Sequence, residues 1–93
     1  MAPRILDRLR AKVRAGHYLI TFHAADEMDD DELTVFDLEN IILTGEIVSR
    51  QRDPATRQPK YVLRGETVAQ QAACCVVTVG LTDEVVFITV WVE

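Results

Sequence analysis

His23 is the first residue whose type and position could support catalysis. It ends a short apolar stretch that begins at Tyr18, and an acidic segment follows it. An imidazole with an ordinary pKa of about 6.5 can gain or lose a proton near neutral pH, as an acid–base catalyst must. A structural histidine that bonds backbone groups where a strand meets a helix is the alternative. The sequence leaves both interpretations open.

The acidic segment after His23 could be read as a metal site. Six carboxylates stand within seven positions: Asp26, Glu27, Asp29, Asp30, Asp31 and Glu32. The segment does not fit a calcium-binding loop, because no glycine lies in its middle, and magnesium sites usually include a substrate phosphate. We therefore expect no metal and no cofactor. A solvated acidic surface is favoured, with docking onto a basic surface as a second interpretation.

A basic hairpin in the second half of the chain is the stronger candidate site. Its cations and phenol could hold and strain an RNA phosphodiester without a metal. Alternation predicts that the first strand carries its two arginines on one face, and that Tyr61 and Arg64 lie on opposite faces of the second strand. An edge strand protected by positive charge is the equally weighted alternative. The residues concerned are Arg50, Arg52, Lys60, Tyr61 and Arg64.

Other familiar chemistries lack their motifs. The chain has no phosphate-binding glycine loop, no GxSxG and no HExxH. Cys74 and Cys75 are adjacent, so they fit neither a zinc site nor an unstrained disulfide and are expected to be small core residues. Phe87 and Trp91 are predicted to share one side of the last strand and to lie in the core.

Composition describes one small globular domain. The chain has 93 residues, 48% of them hydrophobic and 27% charged, with a net charge of −5. No apolar run could span a membrane, and the charged N-terminus lacks the apolar core of a secretory signal, so a cytoplasmic protein is expected. The charge is segmented: basic residues dominate residues 4–14 and 50–64, and acids dominate residues 26–46. Local patches should therefore select the partners.

Helices are predicted in the first half of the chain. Apolar residues at helical spacing indicate a first helix from about Pro3 to Ala15. Tyr18 to His23 reads as a short strand, and residues 24–31 as one or two helical turns. Thr34 is a good N-cap with Asp37 three residues later, and Gly45 is expected to close the helix that begins there.

Strands are predicted in the second half. Glu46 to Arg52, with Ile47 facing away from the arginines, and Lys60 to Thr67 form a hairpin around a proline-containing loop. The apolar runs Ala72 to Val79 and Val85 to Val92 fit central strands. We therefore predict a single α+β domain over residues 1–93, with N-terminal helices on one face of a mainly antiparallel sheet of about four strands.

The segments LITFHAADEM, LTVFDLENIILTGEIV, KYVLRGET and VVFITVW, taken in order, resemble the bacterial domain-of-unknown-function family 4258. The stretches VRAGHYLITFHA and LRGETV are also similar to MqsR-type toxins. These resemblances imply the fold of the RelE-like toxin endoribonucleases. RNA or the ribosome, and a cognate antitoxin protein, are the partners they imply.

The chain departs from this pattern at two positions. Where many relatives carry arginine four and eight residues after the histidine, this chain has Glu27 and Asp31. In addition, the lysine that MqsR-type toxins place on a late strand has no counterpart near Ala73 to Val76. The positions that survive are His23, Met28, Tyr61, Arg64 and Gly65.

Two functions are therefore expected from the sequence. The first is a metal-independent endoribonuclease, with catalysis by His23, Tyr61 and Arg64 and RNA binding by Arg50, Arg52 and Lys60. The alternative is a non-catalytic protein-interaction module that forms a homodimer or binds a partner. Fold transfers from such a resemblance better than activity does.

Overall fold

A computed structural model describes residues 4–93 of the chain. Helices and strands follow one another as α1 (Ile5–Arg14), β1 (Tyr18–Ile20), α2 (Phe22–Asp30), α3 (Val35–Thr44), β2 (Glu46–Arg52), β3 (Pro59–Glu66), β4 (Ala72–Val79) and β5 (Val85–Val92). The predicted α+β class is confirmed. The predicted start of α1 at Pro3 lies outside the described residues, and the helix is seen from Ile5.

The strands form one five-stranded sheet in the order β1-β5-β4-β3-β2. Three pairings are antiparallel, and β1 runs parallel to β5. The sheet is therefore mixed and has one strand more than the predicted four. The extra strand is the short stretch after α1, whose pairing with the end of the chain is non-local. The two apolar runs do form inner strands, as predicted.

Buried side chains from the helices and from one face of the sheet form a single core. Leu9 and Val13 of α1 meet Leu38, Ile41 and Ile42 of α3 and the inward side chains of β3, β4 and β5. Arg10 fixes α1 to the end of α3: its guanidinium Nε donates to the Ile42 carbonyl at 3.1 Å and Nη2 to the Gly45 carbonyl at 2.8 Å. A cation at this end of a helix satisfies carbonyls that lack partners within the helix.

The segment around His23 differs from its prediction. β1 ends at Ile20, and Thr21 is the N-cap of α2, where its side chain accepts a hydrogen bond from the Ala24 amide at 3.1 Å. His23 therefore belongs to the first turn of a helix and does not end a strand. The physical reason is the capping threonine, which starts the helix before the acidic segment.

The predicted start of α3 is confirmed. Thr34 and Asp37 form a capping box, and Asp37 also accepts the Val68 amide at 2.9 Å from the β3–β4 connection. Desolvation raises the pKa of Asp37, but the amides of Thr34 and Val68 outweigh it and hold that pKa below its usual value. Gly45 closes the helix as predicted, with extended backbone.

Two β-bulges change which face some residues occupy. In β2 the extra residue is Val48, so Ile47 lies opposite Leu63 and Arg50 lies opposite Tyr61. In β5 the extra residue is Ile88, since Val77 pairs with Phe87 and Val76 with Thr89. A bulge shifts the alternation by one residue and reverses the faces beyond it.

The two face assignments that extend across a bulge are therefore wrong, whereas Arg50 and Arg52 do share one face and Tyr61 and Arg64 do lie on opposite faces. Ile47 and Arg50 share the helix-facing side of the sheet rather than opposite sides. Phe87 is fully buried, whereas Trp91 is 37% exposed on the other face and is not part of the core. Among residues 4–93, no helix is long and apolar enough to cross a membrane.

Candidate nucleic-acid interface

A groove at the loop end of the β2–β3 hairpin is the principal candidate site. It has a volume of about 290 Å³, and four of its five lining residues share the helix-facing side of the sheet. Its lining residues are Arg50, Gln51, Arg52, Pro59 and Tyr61. The bulge at Val48 builds this site, because it turns Arg50 toward the face occupied by Tyr61.

Arg50 and Tyr61 form a direct pair across the two strands. The guanidinium carbon of Arg50 lies 5.8 Å from the centre of the Tyr61 ring. This distance is within the range of a cation–π contact, in which the face of an aromatic ring attracts a guanidinium group placed above it. Tyr61 is half-buried and packs against the edge of the core, so it gives the groove a fixed floor.

The groove is positively charged and lacks internal neutralisation. Within the described part of the chain, no carboxylate lies within 4.0 Å of Arg50, Arg52 or Arg57. Arg52 donates through Nη1 to the Arg57 carbonyl at 3.0 Å, which holds its side chain toward the hairpin loop. These cations can therefore bind an external anion without first breaking an ion pair.

Lys60, predicted to contact RNA, does not line the groove. It lies opposite Gln51 on the outward side of the hairpin, and its Nζ is 3.5 Å from Asp53 Oδ2. The other oxygen of Asp53 accepts the amides of Ala55 and Thr56. Those amides, with the Lys60 charge, hold the pKa of Asp53 below its usual value, so Lys60 helps to fix the loop.

Arg64, a predicted catalytic residue, also faces away from the groove. Its Nη2 lies 2.8 Å from Glu93 Oε2, and the Cys74 thiol donates to Glu93 Oε1 at 3.0 Å. The Cys74 hydrogen bond, aided by Arg64, holds the pKa of Glu93 low. Burial and the Glu93 carboxylate raise the pKa of Cys74 to about 11, so this thiol is not poised as a nucleophile.

His23 lies at the other side of the sheet. Its Nε2 is 3.3 Å from Glu27 Oε1, and the same carboxylate oxygen accepts the Val90 amide of β5 at 3.1 Å. Two neighbouring strand spacings separate β5 from β3, which amounts to roughly 10 Å. His23 is therefore remote from Tyr61. Its contact in the structure is with the Glu27 carboxylate, which accepts the Val90 amide of β5.

The predicted site residues thus divide into two sets. The structure brings Arg50, Arg52 and Tyr61 together and places His23, Lys60 and Arg64 elsewhere. The sequence analysis did not predict Gln51 and Pro59 as lining residues. Their positions on either side of the predicted hairpin loop could have indicated that they lie beside Arg50 and Arg52. Across residues 4–93 no group of three or more histidine, cysteine, aspartate or glutamate side chains is arranged to hold a metal ion.

The fold and this groove define a small α+β domain with one helical layer and an exposed basic hairpin. The chain belongs to the family described as domain of unknown function (DUF4258), whose pattern matches residues 20–92. No curated protein and no solved structure matches the chain.

Proposed function

We propose that this protein binds single-stranded RNA at the groove formed by Arg50, Arg52 and Tyr61. One observation carries the proposal: Arg50 and Arg52, which have no carboxylate partner among the described residues, line a groove of about 290 Å³ with Tyr61, and the Arg50 guanidinium lies 5.8 Å from the Tyr61 ring. Cations for the backbone beside an aromatic side chain for a base are the two parts from which single-strand binding sites are built.

A single strand fits this site better than a duplex. The net charge of −5 and the exposed acids of α2 would repel the phosphates of a duplex that contacted a large part of the surface. Binding is therefore expected to stay local to the hairpin. With five lining residues and a volume of about 290 Å³, the groove offers a local contact rather than a surface for a helical segment. An unpaired base can turn toward Tyr61 while the adjoining phosphates contact Arg50 and Arg52.

The proposed function is RNA binding. The endoribonuclease activity expected from the toxin resemblance is a more specific hypothesis, in which the bound RNA is also cleaved. Cleavage at this groove would have to proceed without His23 and Arg64, because both lie outside it. Tyr61 is the one predicted catalytic residue that lines the groove. The catalytic form therefore makes a separate prediction, which is loss of RNA integrity that depends on Tyr61.

Fluorescence anisotropy with a labelled short single-stranded RNA tests the binding proposal. Arg50→Ala/Arg52→Ala is expected to weaken binding at least about tenfold, because two charge-assisted phosphate contacts are lost. Tyr61→Ala is expected to weaken it by a similar factor through lost base stacking. Gel analysis of the same RNA after incubation reports cleavage.

Arg4→Ala/Arg14→Ala is the matched control, because it removes the same charge from exposed positions at the ends of α1. It should bind RNA as the wild type does. Equal loss in both double variants would show only non-specific attraction and would contradict the assigned site. Absence of any anisotropy change with wild-type protein at low salt would overturn the proposed function.

A further inference from the structure

Strand β2 forms one edge of the sheet. Among residues 4–93 it pairs only with β3, so its other side is free. The strand runs over Glu46–Arg52, and its last three residues are all exposed. On the far side of the sheet, Glu27 of α2 instead occupies an amide of β5 beyond the short strand β1. An exposed outer strand with unpaired backbone groups is a template for pairing with another chain.

Hydrogen bonding within the hairpin shows which backbone groups of β2 face this free edge. At the loop end, the Asp53 amide donates to the Gln58 carbonyl at 3.0 Å. Next along β3, Pro59 has no amide hydrogen, and its carbonyl accepts the Thr78 hydroxyl from β4 at 2.7 Å. Hydrogen-bonded and non-hydrogen-bonded residue pairs alternate in an antiparallel ladder. Arg52, which lies opposite Pro59, therefore directs its own N–H and C=O away from β3.

The same alternation applies two residues earlier in β2. Arg50 lies opposite Tyr61, so its N–H and C=O also point to the free edge. The side chains of Arg50 and Arg52 share the helix-facing side of the sheet, and neither has a carboxylate within 4.0 Å in the part of the chain that the structure describes. The edge therefore offers two donor–acceptor pairs on alternate residues, each beside a guanidinium group without an anionic partner.

We propose that an extended acidic segment of a partner protein pairs antiparallel with this edge as a sixth strand, with carboxylates at two alternate positions opposite Arg50 and Arg52. The partner strand would satisfy the free backbone groups, and each guanidinium would meet a carboxylate on the same side of the sheet. A peptide strand suits the edge because it supplies acceptors for the N–H groups and donors for the C=O groups. An RNA phosphate supplies acceptors only.

The two arginines select which strand can pair here. Like charges directly opposite one another in a sheet are destabilising, and opposite charges are stabilising. A second copy of β2 paired antiparallel in a register centred on Arg50, Gln51 or Arg52 would set arginine against arginine. The same side chains favour a strand with acids at the matching positions. Because the bulge at Val48 interrupts the regular ladder, the paired segment is short and begins at Ser49.

The proposed partner strand goes beyond the proposed RNA binding and does not depend on it. It would use the backbone edge of β2, whereas the RNA would use the groove on the helix-facing side. Both ligands need Arg50 and Arg52, so the bound partner would exclude RNA from the groove.

NMR titration of the isotope-labelled chain with the peptide Ser-Thr-Glu-Thr-Glu-Thr-Ser, blocked at both ends, tests this strand pairing. The backbone amide signals of Arg50 and Arg52 are expected to shift. The two amides should also exchange more slowly with solvent, because they gain hydrogen-bond acceptors. Unchanged signals from both amides at millimolar peptide would overturn the proposal.

A second peptide, Ser-Thr-Glu-Glu-Thr-Thr-Ser, has the same composition, but its adjacent carboxylates would lie on opposite sides of the sheet. It is expected to bind at least about threefold more weakly, because one opposite-charge pair is lost. Arg50→Ala/Arg52→Ala should remove this preference, and Arg4→Ala/Arg14→Ala should keep it. Equal affinity of the wild type for the two peptides would show charge attraction only and would contradict the proposed register.

N-methylation of the peptide tests the backbone hydrogen bonds separately from charge. Methylating both glutamates of the first peptide removes the N–H groups that would donate to the carbonyls of Arg50 and Arg52. It is expected to weaken binding at least about tenfold. Methylating the first two threonines, whose N–H groups would point away from β2, is the matched control and should have a smaller effect. Equal losses from the two modifications would contradict strand pairing.

Discussion

Glu27 shows how one residue changes meaning once its contacts are known. In the sequence it belongs to an acidic segment for which a solvated surface was the favoured interpretation. In the structure its carboxylate accepts the Val90 amide at a part of the β5 edge that the short strand β1 does not reach. A carboxylate covers such an edge without a further strand, which also hinders pairing with other chains.

Glu27→Ala should lower the free energy of unfolding by about 1–2 kcal/mol, because the Val90 amide loses its partner at a partly buried position. Urea unfolding followed by circular dichroism measures this change. Asp26→Ala removes an exposed acid from the adjacent position and should stay within about 0.5 kcal/mol of the wild type. Equal effects of the two substitutions would show that the edge contact contributes nothing.

Tyr18 provides a pH dependence that belongs to a single side chain. Its hydroxyl donates to Glu39 Oε2 at 2.6 Å, and this bond, with burial, raises the pKa of Tyr18 to about 12. The folded value exceeds the unfolded value of about 10, so the stability from this group is complete below pH 10. It is lost as the pH rises toward about 12.

Absorbance of phenolate during alkaline titration should therefore show a transition near pH 12 that Tyr18→Phe removes. The stability difference between wild type and Tyr18→Phe should be constant from pH 7 to pH 9 and should shrink above pH 10. Tyr61→Phe, which leaves the Glu39 contact intact, is the comparison variant. A late transition that persists in Tyr18→Phe would contradict the assignment.

At the scale of the elements, the close contact between α3 and β3 depends on two glycines. A Cβ on Gly65 would lie 2.4 Å from the Ile41 carbonyl oxygen and 2.9 Å from the Gly45 Cα. Both obstacles are backbone atoms, so no side chain could move aside. The helix therefore has to retreat from the sheet if this glycine is replaced.

Gly65→Ala should cost about 1–3 kcal/mol of stability through overpacking at this contact. Thermal unfolding gives the sign and size of the effect. Gly80→Ala is a useful comparison, because the nearest atoms to an added Cβ there belong to the Glu84 side chain. A Gly65→Ala protein as stable as the wild type would show that α3 can move freely on β3.

The helices and strands were more predictable from the sequence than the side of the sheet on which each strand residue lies. The capping box at Thr34, the loop at residues 53–58 and the two apolar inner strands all follow from local signals. The bulges at Val48 and Ile88 do not, because a bulge is fixed by the register of a partner strand far along the chain. Those two residues decide that Arg50 joins Tyr61 and that Trp91 leaves the core.

At the scale of the whole molecule, basic and acidic residues occupy different parts of the surface. The helix-facing side of the hairpin is basic, and exposed acids line α2, which packs near the opposite edge of the sheet. Lys60 is paired with Asp53 and Arg64 with Glu93, so these two cations of the predicted site are already neutralised within the chain. RNA affinity should therefore rest on few phosphate contacts.

The salt dependence of the proposed RNA binding measures the number of phosphate contacts. Each phosphate neutralised on a single strand contributes a slope of about −0.7 to a plot of log affinity against log salt concentration. Contacts from Arg50 and Arg52 should give a wild-type slope of about −1.4, and Arg50→Ala/Arg52→Ala should reduce its magnitude to near zero. Arg4→Ala/Arg14→Ala should keep the wild-type slope. A slope much steeper than about −1.4 would mean that RNA contacts extend well beyond the hairpin, and the local site would then be too small to account for binding.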